Sequence, residues 1–287
     1  MAENRTTFRS ELVGVFGHPV DENPTVVMHE AAYEHLGLNW RYLTIDVLPD
    51  GLGPAIAGMR AMNFRGINLT IPHKVTVIPH LDSLSEAAEL MGAVNVVVRH
   101  DGELHGENTD GKGFLRALVD DGGVDPSDAR VTILGAGGAA RAIAIELALA
   151  GAAQLTVINR TAQRGRELAD AVTAGTRVTT RFLPWEAGVA VPEDTDILVN
   201  ATSIGMFPDV EARPPIDYST ITARMTVCDA VHAPRTPFLE RASEQGAKTL
   251  DGLGMLVYQG AITFELWVGE SAPVDVMHAA LSSVSES

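Results

Sequence analysis

Residues 131–140 run Val131-Thr132-Ile133-Leu134 and then Gly135-Ala136-Gly137-Gly138-Ala139-Ala140. A β-branched apolar strand breaks into a glycine turn, and the turn opens an apolar helical stretch to Ala150. That succession commits the segment to a strand–turn–helix unit of an α/β sheet. The glycines permit the tight turn and let a pyrophosphate approach the backbone. The helix N-terminus adds unpaired N–H groups and a partial positive charge. The segment therefore predicts a dinucleotide site.

The following strand discriminates between nucleotides. An NAD site places Asp or Glu about 20 residues further on, against the ribose 2′-hydroxyl. Here the strand Leu155–Ile158 ends in Asn159-Arg160-Thr161, with Arg164 after it and no acid. Two guanidiniums and a hydroxyl suit a 2′-phosphate, which arginine binds in bidentate fashion. The expected cofactor is NADP.

Around this unit, short apolar runs alternate with helical patterns, as in a mostly parallel α/β architecture. Strands are expected at 12–16, 41–47 and 67–70, with helices at 25–36 and 52–62. Ser83-Leu84-Ser85-Glu86 reads as a capping box before a helix to Met91. Residues 94–99 and 103–106 should form a hairpin around Asp101-Gly102. An Asp- and Gly-rich stretch, 120–129, precedes the nucleotide unit. Beyond it come a helix at 163–173, strands at 197–200 and 226–229, a helix from Pro237 and a long helix over 253–268. Residues 282–287 are expected to fray.

The chain carries 37 acidic against 21 basic residues, a net charge of −16. Nucleic acid needs a basic surface, so it is not an expected partner, and an anionic membrane is disfavoured for the same reason. A small anionic ligand would need a local cationic pocket. A single cysteine, Cys228, permits no intrachain disulfide. Residues 1–10 are polar and lack the apolar core of a signal peptide. No stretch reads as a membrane span, and nothing calls for a metal. The expected location is the cytoplasm.

Hydride transfer to a carbonyl needs a proton source. Only three of the cationic residues are lysines, and one closes Asn68-Leu69-Thr70-Ile71-Pro72-His73-Lys74. Lysine can be made to release its proton, whereas arginine in practice cannot. Lys74 is therefore a candidate acid/base. Asn108-Thr109-Asp110 lies just before the nucleotide unit, and Asp110 would complete an acid/base pair. Gln259 sits among apolar residues of the last long helix, where an amide needs a polar partner.

The ordered set of motifs resembles the shikimate dehydrogenase family over nearly the whole chain. The set comprises Gly17-x-Pro19, Asn68 to Lys74, Gly92-Ala93-Val94-Asn95 and Gly106-x-Asn108-Thr109-Asp110. It continues with Gly135 to Ala140, Asn159-Arg160-Thr161, Asn200-Ala201-Thr202, and Gly252-Leu253-x-Met255-Leu256 with Gln259. The resemblance implies an N-terminal α/β substrate domain and a Rossmann-type doubly wound NADP-binding domain, with C-terminal helices packing back on the first. The expected boundaries are 1–109 with 252–287, and 110–251. It implies reversible NADP-linked reduction of 3-dehydroshikimate to shikimate in aromatic amino acid biosynthesis. Lys74 and Asp110 would be the catalytic pair, with Asn95, Gln259 and Thr70 lining the substrate pocket. Gly135, Ala136, Gly137, Gly138, Ala139, Asn159, Arg160, Thr161, Arg164, Thr202 and Gly252 would hold the cofactor. The protein would act on a small cyclic hydroxy acid as a monomer or homodimer.

One region departs from the family. Asn23 and Thr25, in Gly17-His18-Pro19-Val20-Asp21-Glu22-Asn23-Pro24-Thr25, align with two serines that bind the substrate carboxylate. His232 aligns with a tyrosine of the same function. Asp21 and Glu22 add negative charge to that loop. The chemistry is expected to be kept, while the substrate is open to change. The alternatives are a quinate or other cyclic-polyol dehydrogenase, NADP- or NAD-linked, and a catalytically silent NADP-binding sensor.

Overall fold

The computed structural model describes residues 8–233 and 235–285, so the polar segment 1–10 is seen only from Phe8 onward. The chain divides into two compact units, Met1–Thr109 with Gly260–Ser287, and Asp110–Gln259.

The first unit opens with β1 (Glu11–Gly17), α1 (Thr25–His35), β2 (Trp40–Asp46), α2 (Leu52–Ala61) and β3 (Gly66–Leu69). It continues through α3 (His73–Thr76), β4 (Ser83–Leu84), α4 (Glu86–Met91), β5 (Val96–His100) and β6 (Glu103–Glu107). Its six strands lie in the order β2-β1-β3-β5-β6-β4. β1 runs parallel to both neighbours, whereas β5 is antiparallel to β3 and to β6, so this sheet is mixed. The β5–β6 hairpin turns at Asp101 and Gly102, whose φ values of 50° and 89° fit a primed two-residue turn.

Period-two burial gives the sheet its core. Phe16, Ile67, Leu69, Val97 and Leu104 pack with Ile56 and Met59 of α2. The alternate β1 residues Val13 and Val15 are buried on the other face. Each such side chain contributes roughly 1.5–3 kcal/mol on burial.

The cap of α4 differs from the expected one. Ser85, not Ser83, caps the helix, its Oγ accepting the Ala88 N–H at 3.1 Å. Ser83 is held in β4 instead, paired with His105 of β6. The helix ends at Gly92, whose φ of 62° supplies the left-handed cap.

The second unit contains α5 (Asp110–Asp120), β7 (Arg130–Leu134), α6 (Gly138–Leu149), β8 (Gln154–Asn159), α7 (Ala162–Thr176) and β9 (Thr179–Pro184). After these come β10 (Val189–Ala190), β11 (Ile197–Asn200), β12 (Ile216–Asp217), β13 (Thr226–Asp229), α8 (Pro237–Glu244) and β14 (Lys248–Leu250). Six parallel strands lie in the order β9-β8-β7-β11-β13-β14, the doubly wound arrangement, with β10 and β12 forming a small separate ribbon. Strand order reverses between β7 and β11. In such sheets ligands bind beyond the carboxyl ends of the strands at that point.

Helix α9 (Leu253–Val268) spans both units, and α10 (Val274–Ser285) follows in the first. Residues 252–259, assigned to the first domain from sequence, fall in the second unit. A Cβ on Gly113 of α5 would lie 2.6 Å from both Met255 O and Gln259 N, so the opening turns of α9 press directly on α5. The later turns of α9 pack Phe264 and Trp267 with Tyr33 and His29 of α1. Ser282–Ser285 are helical rather than frayed, and residues 286–287 lie outside the described region.

Candidate functional site

In the second unit, β7 ends at Leu134 and Gly135 turns the chain with φ of 112°. A Cβ there would lie 2.9 Å from Ala201 O and 3.0 Å from Thr202 Cγ2. Glycine thus lets the turn close against the end of β11, at the reversal of strand order. Cβ atoms on Gly137 and Gly138 would meet nothing within 4 Å. Gly137, Gly138 and Ala139 are exposed, Ala136 is half-buried, and no side chain caps the N-terminus of α6. The result is an open, uncapped helix start with backbone donors facing outward, suited to a pyrophosphate.

At the end of β8, the Asn159 Nδ2 donates to Thr161 O at 2.9 Å and holds the turn into α7. Arg160, Thr161 and Arg164 are exposed. Neither arginine has a carboxylate partner among the described residues. Two exposed guanidiniums, without an ion-pair partner among the described residues, form a local cationic patch on an acidic protein.

Thr202 is fixed from the same sheet. Asn200 Oδ1 accepts both the Thr202 N–H at 3.2 Å and its Oγ1–H at 2.7 Å. Asn200 Nδ2 in turn donates to Asp229 Oδ1 at 2.9 Å, and Thr236 Oγ1 donates to Asp229 Oδ2 at 2.6 Å. Burial pushes the Asp229 pKa up, against the lowering effect of its three donors, Thr236, the Val231 N–H and Asn200. The sequence places Asp229 at a strand end and Thr236 at a helix start but gives neither a place at the site. The β11–β13 register, which sets Asn200 opposite Asp229, is what joins them. Gly252 is buried against the same region, where a Cβ would come within 2.4 Å of Val231 O.

In the first unit, two of the quoted motifs meet. The Val94 N–H donates to Lys74 O at 2.7 Å, and His73 Nε2 donates to Val47 O at 2.7 Å. Both bonds anchor the short helix α3, and Lys74 is half-buried on it. Thr70, also half-buried, sits where the Thr70 N–H reaches Phe16 O at 3.0 Å. A Cβ on Gly17 would strike Thr70 Cγ2 at 2.3 Å, so the glycine makes room for that threonine.

Asn95 is 3 % exposed and is bonded at both ends of its amide. Its Oδ1 accepts the Thr109 N–H at 2.7 Å, and its Nδ2 donates to Thr109 Oγ1 at 3.1 Å. Thr109 Oγ1 also lies 3.2 Å from Thr263 Oγ1 of α9. The pair therefore fixes the backbone immediately before Asp110.

Asp110 opens α5 from the second unit, half-buried in the first turn, where a carboxylate complements the helix dipole. His232 lies in the same unit. Surrounding protein atoms lower its pKa from the ordinary value, opposed by the carboxylates of Asp110 and Asp251, while solvent still reaches the ring. Gln259 is buried at 8 % exposure, and its Nε2 donates to Leu256 O at 3.1 Å. Among the described residues, no group of three or more His, Cys, Asp or Glu could hold a metal ion. No helix among them is long and apolar enough to cross a membrane.

The first loop, between β1 and α1, lines a cleft of roughly 480 Å³ with Pro19, Val20, Asp21, Glu22, Asn23, Pro24 and Thr70. Asn23 Oδ1 accepts the Thr25 N–H at 3.0 Å, and Thr25 is 7 % exposed at the start of α1.

Models of known families match most of the chain. The shikimate dehydrogenase substrate binding domain matches residues 15–97, shikimate/quinate 5-dehydrogenase residues 119–206, and the shikimate 5′-dehydrogenase C-terminal domain residues 252–281. The chain is 41% identical to a shikimate dehydrogenase (NADP(+)) of Desulforamulus reducens, over 98% of each sequence. Among solved structures, it is similar to the ligand-free 5-ketofructose reductase of Gluconobacter sp. strain CHM43, with a TM-score of 0.93 and 47% identity, covering 97% of this chain and 100% of that one. It is also similar to the shikimate 5-dehydrogenase of Thermus thermophilus in complex with NADP(H) and shikimate, with a TM-score of 0.83 and 37% identity over 95% and 99%.

Proposed function

The chain belongs to the shikimate dehydrogenase family, and from that premise we propose that it reversibly reduces 3-dehydroshikimate to shikimate with NADPH, using Lys74 and Asp110 to handle the proton. The observation that carries the cofactor half is the pair of unpaired guanidiniums, Arg160 and Arg164, beside the open start of α6.

The residues fit NADP. The outward N–H groups from Gly137 to Ala139 suit the pyrophosphate, with Gly135, Ala136 and Thr202 shaping the turn, Gly252 keeping the adjoining loop close, and Asn159, Arg160, Thr161 and Arg164 receiving the 2′-phosphate. Bound there, the cofactor supplies the hydride. Lys74 gives a proton to the carbonyl oxygen as it becomes a hydroxyl, and Asp110 hydrogen-bonds that group and the ammonium. Asn95, Gln259 and Thr70 orient the ring hydroxyls, while Asn23, Thr25 and His232 receive its remaining substituent. On this reading, substrate binding belongs to 1–109 with the C-terminal helices and cofactor binding to the Rossmann unit. A cytoplasmic enzyme, monomeric or homodimeric, fits the same role.

A second reading is favoured by the first loop and by the similarity to 5-ketofructose reductase. Here the substrate is an uncharged polyhydroxy ketone, and the same proton-handling pair serves it. Initial rates with NADP(H) and NAD(H), against shikimate, quinate, 3-dehydroshikimate and 5-ketofructose, separate the two. Turnover of 3-dehydroshikimate with NADPH at least tenfold above the ketose supports the first. The reverse order gives the second. No turnover of any of them defeats both.

A further inference from the structure

The cleft of the first loop contains two carboxylates and no strong cation. Its lining includes Asp21 and Glu22 but no lysine or arginine. Both acids are exposed, and neither has a hydrogen bond or ion pair among the described residues. His18, the imidazole on the same loop, is engaged elsewhere, its Nδ1 lying 2.8 Å from Asp46 Oδ1. Asp21 and Glu22 therefore have no paired cation among the described residues.

Asn23, unlike Asp21 and Glu22, has a hydrogen-bond partner. Its Oδ1 is committed to the Thr25 N–H at 3.0 Å. That leaves Nδ2 without a protein partner among the described residues, as a neutral donor. A neutral amide donor holds a hydroxyl or carbonyl oxygen well. It holds a carboxylate only if nearby charge does not oppose it, and here two like charges do.

We propose that Asp21 and Glu22 are specificity-determining residues, forming a charge filter at the first loop that disfavours carboxylate-bearing ketones and leaves Asn23 to hydrogen-bond an uncharged oxygen. The filter rests on the second reading above, reduction of an uncharged polyhydroxy ketone, and names the residues that select that class of substrate. Like-charge repulsion acts on the substrate without any contact, so discrimination shows in kcat/KM and weakens as salt screens it. On a chain of net charge −16 the two acids reinforce the overall field rather than offset it.

The test compares 3-dehydroshikimate with its methyl ester, which keeps the ring and its ketone but removes the charge. kcat/KM for both is measured with the full-length protein and saturating NADPH, at about 0.05 and 0.5 M salt. The unsubstituted enzyme should favour the ester at low salt, and the acid-to-ester ratio should rise with salt. In the double variant Asp21→Asn/Glu22→Gln, the ratio at low salt should rise about tenfold and lose most of its salt dependence. Turnover of acid and ester with equal kcat/KM, or a ratio unchanged in the variant, overturns the filter while leaving the dehydrogenase reading intact. If neither compound is reduced, removing the charge does not open the site to this ring, and the filter falls together with the 3-dehydroshikimate reading. The salt series on the unsubstituted enzyme stands without the variant, so a folding defect in the latter cannot rescue or sink the proposal.

Discussion

The Asn95 side chain clasps Thr109 from both ends of its amide, Oδ1 accepting the Thr109 N–H at 2.7 Å and Nδ2 donating to the Thr109 hydroxyl at 3.1 Å. An amide assigned to the substrate on family resemblance is thus also a structural clamp on the residue before Asp110. Replacing it by alanine takes the acceptor from the buried Thr109 N–H and leaves the hydroxyl with Thr263, at a cost of about 1–3 kcal/mol. Asn95→Ala should lower the urea midpoint accordingly. Asn95→Asp keeps the acceptor, and should recover part of the stability at neutral pH. If Asn95→Ala unfolds at the same urea concentration as the unsubstituted protein, the clamp has no energetic weight.

Local chemistry made much of this protein legible from its sequence. The β7–glycine–α6 segment declares itself because strand, turn and helix each carry their own pattern. Asp101-Gly102 specifies its hairpin because both positions need positive φ. The edges were harder. β9 carries Arg181 and ends at Pro184, with burial that never rises above partial, so it lacks the apolar alternation of a central strand. β14 is only three residues long. At α4 two serines compete for one cap, and pairing of Ser83 with β6 decides between them. Side chains that act together across strands were invisible for a different reason. Asn200 and Asp229 are 29 positions apart, and only the parallel register sets them face to face.

The Lys74 carbonyl accepts the Val94 N–H at 2.7 Å, a backbone bond that a change of side chain leaves in place. General acid–base catalysis contributes on the order of 10²- to 10⁴-fold. Lys74→Ala should lower kcat by that range while the dissociation constant for NADPH, read by fluorescence titration, shifts less than about twofold. A kcat within about threefold of the unsubstituted enzyme's would remove Lys74 from the proton path.

Arg160 has no partner among the described residues, so removing its guanidinium should cost little stability. A charge-assisted hydrogen bond to phosphate is worth about 1.5–3 kcal/mol, one to two decades in affinity. Arg160→Ala should weaken NADP binding by that factor and NAD binding by less than about threefold. Titration calorimetry with each nucleotide gives both numbers. An equal loss for NAD and NADP would mean the side chain serves the shared part of the cofactor and not the 2′-phosphate.

His29 offers a pH prediction with a definite sign. It is fully buried, stacked on Tyr42 at 4.8 Å and tilted against Trp267 at 5.4 Å, with Nε2 unpartnered and Nδ1 3.4 Å from the Tyr33 hydroxyl. Burial lowers its pKa from 6.5 to about 3. The unfolded chain therefore takes up a proton that the folded chain refuses. Stability from this group is complete above pH 6.5 and is lost progressively as pH falls towards 3, by about 1.4 kcal/mol per pH unit within that window. His29→Phe keeps an aromatic ring in the stack and removes the titration. Unfolding free energies measured in urea at pH 7 and pH 5 should differ less in the variant than in the unsubstituted protein, by about 2 kcal/mol. The comparison is between slopes, so a packing penalty of the larger ring, present at both pH values, cancels. Equal slopes would show that His29 titrates in the folded state as freely as in the unfolded one, contrary to its enclosure by Tyr33, Tyr42 and Trp267.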